Sequence, residues 1–294
     1  MRAQPFVSKL LLVTLLVSVF SCVLVAMQGG ASPAGLILVP VSVTDSKNVP
    51  ITTLKQEQFQ VLEDNKEQKI TQFTSAADPL TLSVVLGLSA NGPVKTPGQK
   101  DRASTEVLGA VDRVREANPN GPIAQNPFDG DGMFETVAKS MNDLSKNPNP
   151  KKAMVIVSDG YIASGSQGSS LPLPKALIEN SKVSNFPIYF LFASSSTNTL
   201  PGFTEGSTYG VGYYLQQVAD YSGGESVAGQ TENNLVKVST ELRDSLKALY
   251  YLGYQSTNTA KDGKWRKLTV KVTPPADIAK VKVNAKPRYF VPKG

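Results

Sequence analysis

Residues 81–91 read TLSVVLGLSAN and residues 151–160 read KKAMVIVSDG. Each is a short apolar, β-branched run without the alternation of a half-solvated strand, which is the pattern of a strand buried on both faces of a parallel sheet. Each then delivers polar side chains at its carboxyl end: Ser89 and Asn91 after the first run, Asp159 after the second. Open parallel α/β sheets bind ligands outside the carboxyl ends of their strands, so the pair predicts a binding site as well as a fold class.

Outward from these runs, residues 79–250 alternate strand and helix signals. Residues 99–117 carry Ala103, Val107, Leu108, Val111 and Val114 at helical spacing, and residues 131–144 form a second helical segment stopped by Asn147-Pro148-Asn149-Pro150. A helix over 174–184, a buried strand over 187–193 (PIYFLFA), a helix over 212–222 ended by Gly223-Gly224, an edge strand over 225–228 and an amphipathic helix over 231–250 complete the series. Strand and helix in alternation imply a mainly parallel α/β sheet. Residues 118–130, NPNGPIAQNPFDG, are punctuated by Pro119, Gly121, Pro122 and Pro127 and contain no long apolar run, so a loop is expected there. With that stretch a loop, the strand over 82–88 is expected near an edge of a shortened sheet, covered by the β flanks or by a partner strand.

The flanks are β-rich. Residues 37–44 (ILVPVSVT) read as a strand with Pro40 at an edge or bulge, and 59–63 and 69–74 flank Asp64-Asn65-Lys66-Glu67 as a hairpin. After the α/β part, strands are expected over 250–255, 267–273, 280–284 and 288–291. The organisation predicted is a leader over 1–31, a β segment over 36–78, the α/β domain over 79–250, and a C-terminal β segment over 251–294 that pairs with the first in one β-sandwich.

Composition narrows the chemistry. The 294 residues are 40% hydrophobic and 18% charged, as in a folded globular protein. There is no histidine, which removes Ser-His-Asp and Cys-His catalysis and histidine-ligated zinc, and the single cysteine, Cys22, allows no disulfide within the chain. Residues 10–27 are eighteen uncharged residues preceded by Arg2 and Lys9, which reads as an uncleaved inner-membrane anchor or as a signal peptide cleaved after Ala31. A lipid-modified Cys22 is a third option. All three place the remaining chain outside the cytoplasm, periplasmic or secreted. The net charge is +6, yet residues 255–294 hold ten Lys or Arg against two Asp, a surplus of +8. That basicity suits a solvated strand face, or contact with anionic lipid or an acidic surface polymer. Nucleic acid is not expected, because few stacking aromatics accompany the charge.

Several segments together resemble the VWA-related (von Willebrand factor type A) proteins abundant in Acidobacteria. They are Val39-Pro40-Val41-Ser42-Val43-Thr44-Asp45, Phe59-Gln60-Val61-Leu62-Glu63-Asp64, Val155-Ile156-Val157-Ser158-Asp159-Gly160, Tyr251-Leu252-Gly253-Tyr254 and Arg288-Tyr289-Phe290-Val291-Pro292. The resemblance implies a Rossmann-like VWA domain with a binding rather than catalytic role. In that family a metal-ion-dependent adhesion site has Asp where Gly87 stands here, Ser where Asn91 stands, and Thr near Asp131, so the site is expected to be degenerate. Magnesium wants about six hard oxygen ligands. Ser89, Asn91, Asp131 and Asp159 are the candidate ligands, Asp131 restoring the carboxylate lost at Gly87, with Asp129 beside it. Against this, Asp129 and Asp131 suit a helix N-terminus through capping and the dipole. The expectation is therefore a partner-binding cleft of Ser89, Asn91, Asp129, Asp131, Asp159 and Tyr161 with no cofactor, and the alternative is an adhesion module holding Mg2+, Mn2+ or Ca2+. The partner expected is a protein or surface polymer, with membrane contact through residues 10–27 if they are retained. A Ser-Lys hydrolase using Ser89 and Lys95 is the remote enzymatic alternative; otherwise no enzyme is expected.

Overall fold

The structure, a computed structural model, describes residues 35–87, 97–118, 123–128, 133–158, 172–193, 210–229, 232–276, 278 and 280–294. In chain order these form β1 (Leu36–Asp45), β2 (Phe59–Glu63), β3 (Lys66–Gln68) and β4 (Ile70–Thr74). There follow β5 (Thr81–Gly87), α1 (Pro97–Arg115), β6 (Ile123–Phe128), α2 (Met133–Lys146), β7 (Lys152–Ser158) and α3 (Pro172–Lys182). Next come β8 (Ile188–Ala193), α4 (Gly210–Ser222), β9 (Ser226–Gly229) and α5 (Glu232–Lys247). The chain ends with β10 (Leu249–Gln255), β11 (Trp265–Val272), β12 (Val281–Ala285) and β13 (Arg288–Phe290).

The class is mixed α/β. Five parallel strands line up as β6-β5-β7-β8-β9, and two four-stranded antiparallel sheets are ordered β12-β1-β10-β4 and β13-β11-β2-β3. β5, β7 and β8 are mainly apolar and almost wholly buried because both faces are covered, with Thr81, Ser83, Lys152 and Ser158 as their buried polar members. Val107, Val111 and Val114 of α1 and Leu235, Leu242 and Leu246 of α5 pack on one face. Val137 and Met141 of α2, Leu177 of α3 and Leu215 and Val218 of α4 pack on the other.

β1 pairs antiparallel with β10, so the two β flanks of the chain share a sheet. The central strands of that sheet, β1 and β10, are buried on both sides. Val39, Val41, Tyr250, Leu252 and Tyr254 face Phe59, Val61 and Leu268 of the second antiparallel sheet, whereas Leu38, Leu249 and Tyr251 join the core under α1 and α5. Pro40 falls in the part of β1 that pairs with β10 alone, where a strand tolerates a missing N–H.

Four expectations need correction. Residues 123–128 are not loop but β6, parallel to β5 from Leu82↔Ile123 to Gly87↔Phe128. An edge strand needs hydrogen bonds on one side only, which is how a segment containing Pro127 can serve. β5 is therefore paired on both sides, by β6 and β7, and the expected sheet edge at 82–88 does not exist. The hairpin after β2 is tighter than expected: Asp64 and Asn65, at φ +47° and +67°, make a two-residue turn into β3, and β4 crosses to pair with β10. Finally, the helix expected over 231–250 stops at Lys247, and Leu249 and Tyr250 begin β10.

Candidate functional site

In the parallel sheet the strand order reverses between β5 and β7. β5 connects through α1 to β6 on one side, while β7, β8 and β9 follow one another on the other side. At such a reversal the connections leave the two strand ends in opposite directions and open a crevice. The ends that frame it are in register: Gly87 lies opposite Ser158 on one side and Phe128 on the other. Gly87 and Ser158 are both buried.

The candidate residues Ser89, Asn91, Asp129, Asp131, Asp159 and Tyr161 lie outside the described residues, as do Lys95, Cys22 and residues 10–31. Among the described residues no group of three or more acidic or cysteine side chains is placed to hold a metal, and no helix is long and apolar enough to cross a membrane.

The opposite, amino-terminal end of the sheet carries the perturbed groups that the sequence reading missed. Lys151 is 1% exposed, and its ammonium donates to the carbonyls of Ser75 (3.2 Å), Ala76 (2.7 Å) and Asp78 (3.0 Å). Burial lowers its pKa to about 8, against the opposing charge of Asp78. Lys152 donates to the Ser145 and Asn147 carbonyls at the carboxyl end of α2, where a cation also suits the helix dipole. Asn149 joins the same region, its amide donating to the Pro79 carbonyl (2.8 Å) and Thr81 Oγ1 (3.0 Å). Lys286, between β12 and β13, is buried with one long bond to the Ser184 carbonyl (3.4 Å), and burial lowers its pKa to about 8. A cavity of about 420 Å³ opens beside Lys151, between Asp78, Leu80, Asn118 and Lys247. All three Lys151 protons are already taken by carbonyls, so this amine pins the 75–78 turn and has no donor left for a ligand. Lysines next to strand starts are common in sequence, and only the three-dimensional path of the turn reveals this one as a pin.

In the antiparallel module Glu63 is 2% exposed and accepts hydrogen bonds from Ser256 Oγ (2.7 Å), Tyr254 Oη (2.8 Å) and Tyr289 Oη (3.0 Å). Burial raises the pKa of both phenols, that of Tyr289 to about 12, so they remain donors at physiological pH. The arrangement is a buried carboxylate with hydrogen-bond donors on both oxygens.

Compared with known proteins, the chain matches no protein-family model, and a search of curated proteins finds no match.

Proposed function

We propose that the chain is a non-enzymatic, extracytoplasmic binding module built on a VWA-like domain, recognising a protein or surface polymer at the crevice between the carboxyl ends of β5 and β7. The single observation that carries this reading is the reversal of strand order there, with Gly87, Phe128 and Ser158 adjacent in register. It is the position at which open α/β sheets take ligands, and the sequence continues from those three strand ends toward Ser89, Asp129 and Asp159. The absence of histidine from the whole chain agrees with binding rather than catalysis. The apolar segment 10–27 supports export, with the module either anchored to the inner membrane or released after residue 31.

Calorimetry with magnesium, manganese and calcium on the full chain in mild detergent tests the metal-free form of this reading. The expected result is no binding heat for the wild type or for Asp159→Ala. Heat in the wild type that disappears in Asp159→Ala replaces it with a metal-dependent adhesion module.

A further inference from the structure

The solvent side of the sheet β13-β11-β2-β3 presents cations that the fold does not neutralise. Along β11 Arg266 and Leu268 are buried, so by strand alternation Trp265, Lys267, Thr269 and Lys271 share the outer face. Register sets Lys267 directly opposite Arg288 on β13, and Lys271 opposite Gln60 on β2. Like charges in directly opposed positions are destabilising. Lys267, Lys271 and Arg288 are all exposed, and none has an ion-pair partner among the described residues.

Among the described residues the acidic groups nearby form no ion pair with these three cations. Glu67 accepts from the Gln60 amide (2.9 Å); Asp64 accepts the backbone N–H of Lys267 (2.9 Å), and its second oxygen lies 4.0 Å from Arg266 Nε. Arg288 is held in place without being neutralised: its guanidinium lies 4.5 Å from the Trp265 ring centroid, and Trp265 stacks on Tyr221 of α4 at 5.5 Å. Lys182 of α3 lies 5.9 Å from the Phe290 ring at the same end, paired with Glu179.

The surroundings decide what kind of anion fits. Among the described residues the exposed large apolar side chains, Val49, Leu108, Val183 and Val236, are all off these four strands, and the half-buried Leu62 opposite Thr269 is the one aliphatic side chain at the centre of the face, so the face offers little to insert into a bilayer. The ring of Trp265 is occupied by Arg288 and Tyr221, which leaves no free platform for stacking bases. An exposed cationic sheet face without a free aromatic anchor also lacks what protein hot spots need. We propose that this face is a second interaction surface, binding a linear acidic polysaccharide whose carboxylates bridge Lys267, Lys271 and Arg288. It is independent of the crevice between β5 and β7.

The test uses the full chain in mild detergent and polygalacturonate oligomers, with affinity followed against sodium chloride. Lys267→Glu/Lys271→Glu is compared with Lys175→Glu/Lys237→Glu, which makes the same change in net charge on exposed positions of α3 and α5. The expected result is binding that weakens with salt, is retained in the helix variant and in Asp159→Ala, and falls by about tenfold or more in the sheet variant, because the lysines and arginine of the face displace counterions condensed on the polyanion. Equal losses in the two double variants overturn the proposal, as does absence of wild-type binding. Tighter binding to phosphatidylglycerol vesicles than to the oligomers, or stronger binding to polyglutamate, also overturns it in favour of a lipid or acidic protein. Matching thermal melts of the two double variants establish that any loss is not unfolding.

Discussion

At the residue scale, two buried lysines and one buried carboxylate make the sharpest predictions. Lys151 and Lys286 have folded-state pKa values of about 8 against an ordinary 10.5. Between those values the unfolded chain binds more protons than the folded one, so stability rises with pH across that interval, and this contribution is lost as pH falls through about 8. Thermal melts from about pH 7.5 to pH 9.5 should therefore show a rise in melting temperature that is smaller in Lys286→Met; an unchanged slope would contradict the burial argument. Glu63 accepts three hydroxyls in the module core. Tyr289→Phe removes one donor and should cost about 1 kcal/mol, whereas Glu63→Ala takes the acceptor from both the Tyr254 and Tyr289 hydroxyls, while Ser256 keeps the Asn258 carbonyl, and should cost about 3 kcal/mol or more in denaturant unfolding.

At the scale of elements, the turn between α4 and β9 depends on two adjacent glycines for different reasons. Gly223 has φ +89°, and a Cβ on Gly224 would sit 2.0 Å from the Ile188 carbonyl oxygen in β8. Backbone in the middle of a packed sheet cannot yield that distance. Gly224→Ala should destabilise by about 3 kcal/mol or more, with loss of the native near-ultraviolet signal at lower denaturant than wild type. These glycines were legible in sequence as a helix stop, because a helix pattern followed by Gly-Gly has one common meaning. The buried parallel strands were legible for a similar reason: PIYFLFA at 187–193 suits a strand covered on both faces, and β8 is fully buried. β6 was not legible, because IAQNPF lacks the apolar run that marks a central strand, and an edge strand is specified by the neighbour it pairs with. The path of β4 was hidden likewise: local signals make a hairpin of 59–74, but the two-residue turn at Asp64-Asn65 completes that hairpin by Gln68 and frees β4 to pair with β10.

At the scale of the molecule, the sheet containing β1 and β10 is sandwiched between the second antiparallel sheet and the α/β core, contributing Tyr250 to one side and Tyr251 to the other. Tyr251 donates to the Lys152 carbonyl at the start of β7, and Tyr250 donates to the Ile51 carbonyl (2.7 Å). Consecutive residues of one strand thus bind the β module and the α/β unit into a continuous scaffold. The strand ends that frame the crevice follow from sequence pattern, since both runs were readable as buried strands. Ser89, Asn91, Asp131 and Asp159 lie outside the described residues. The most direct measurement is affinity capture from the cell envelope with crosslinking, using wild type and Asp159→Ala as baits, each with magnesium and with EDTA. The account predicts one partner that wild type retains in both conditions and that Asp159→Ala loses; retention of that partner by Asp159→Ala, or its loss from wild type in EDTA, would contradict it.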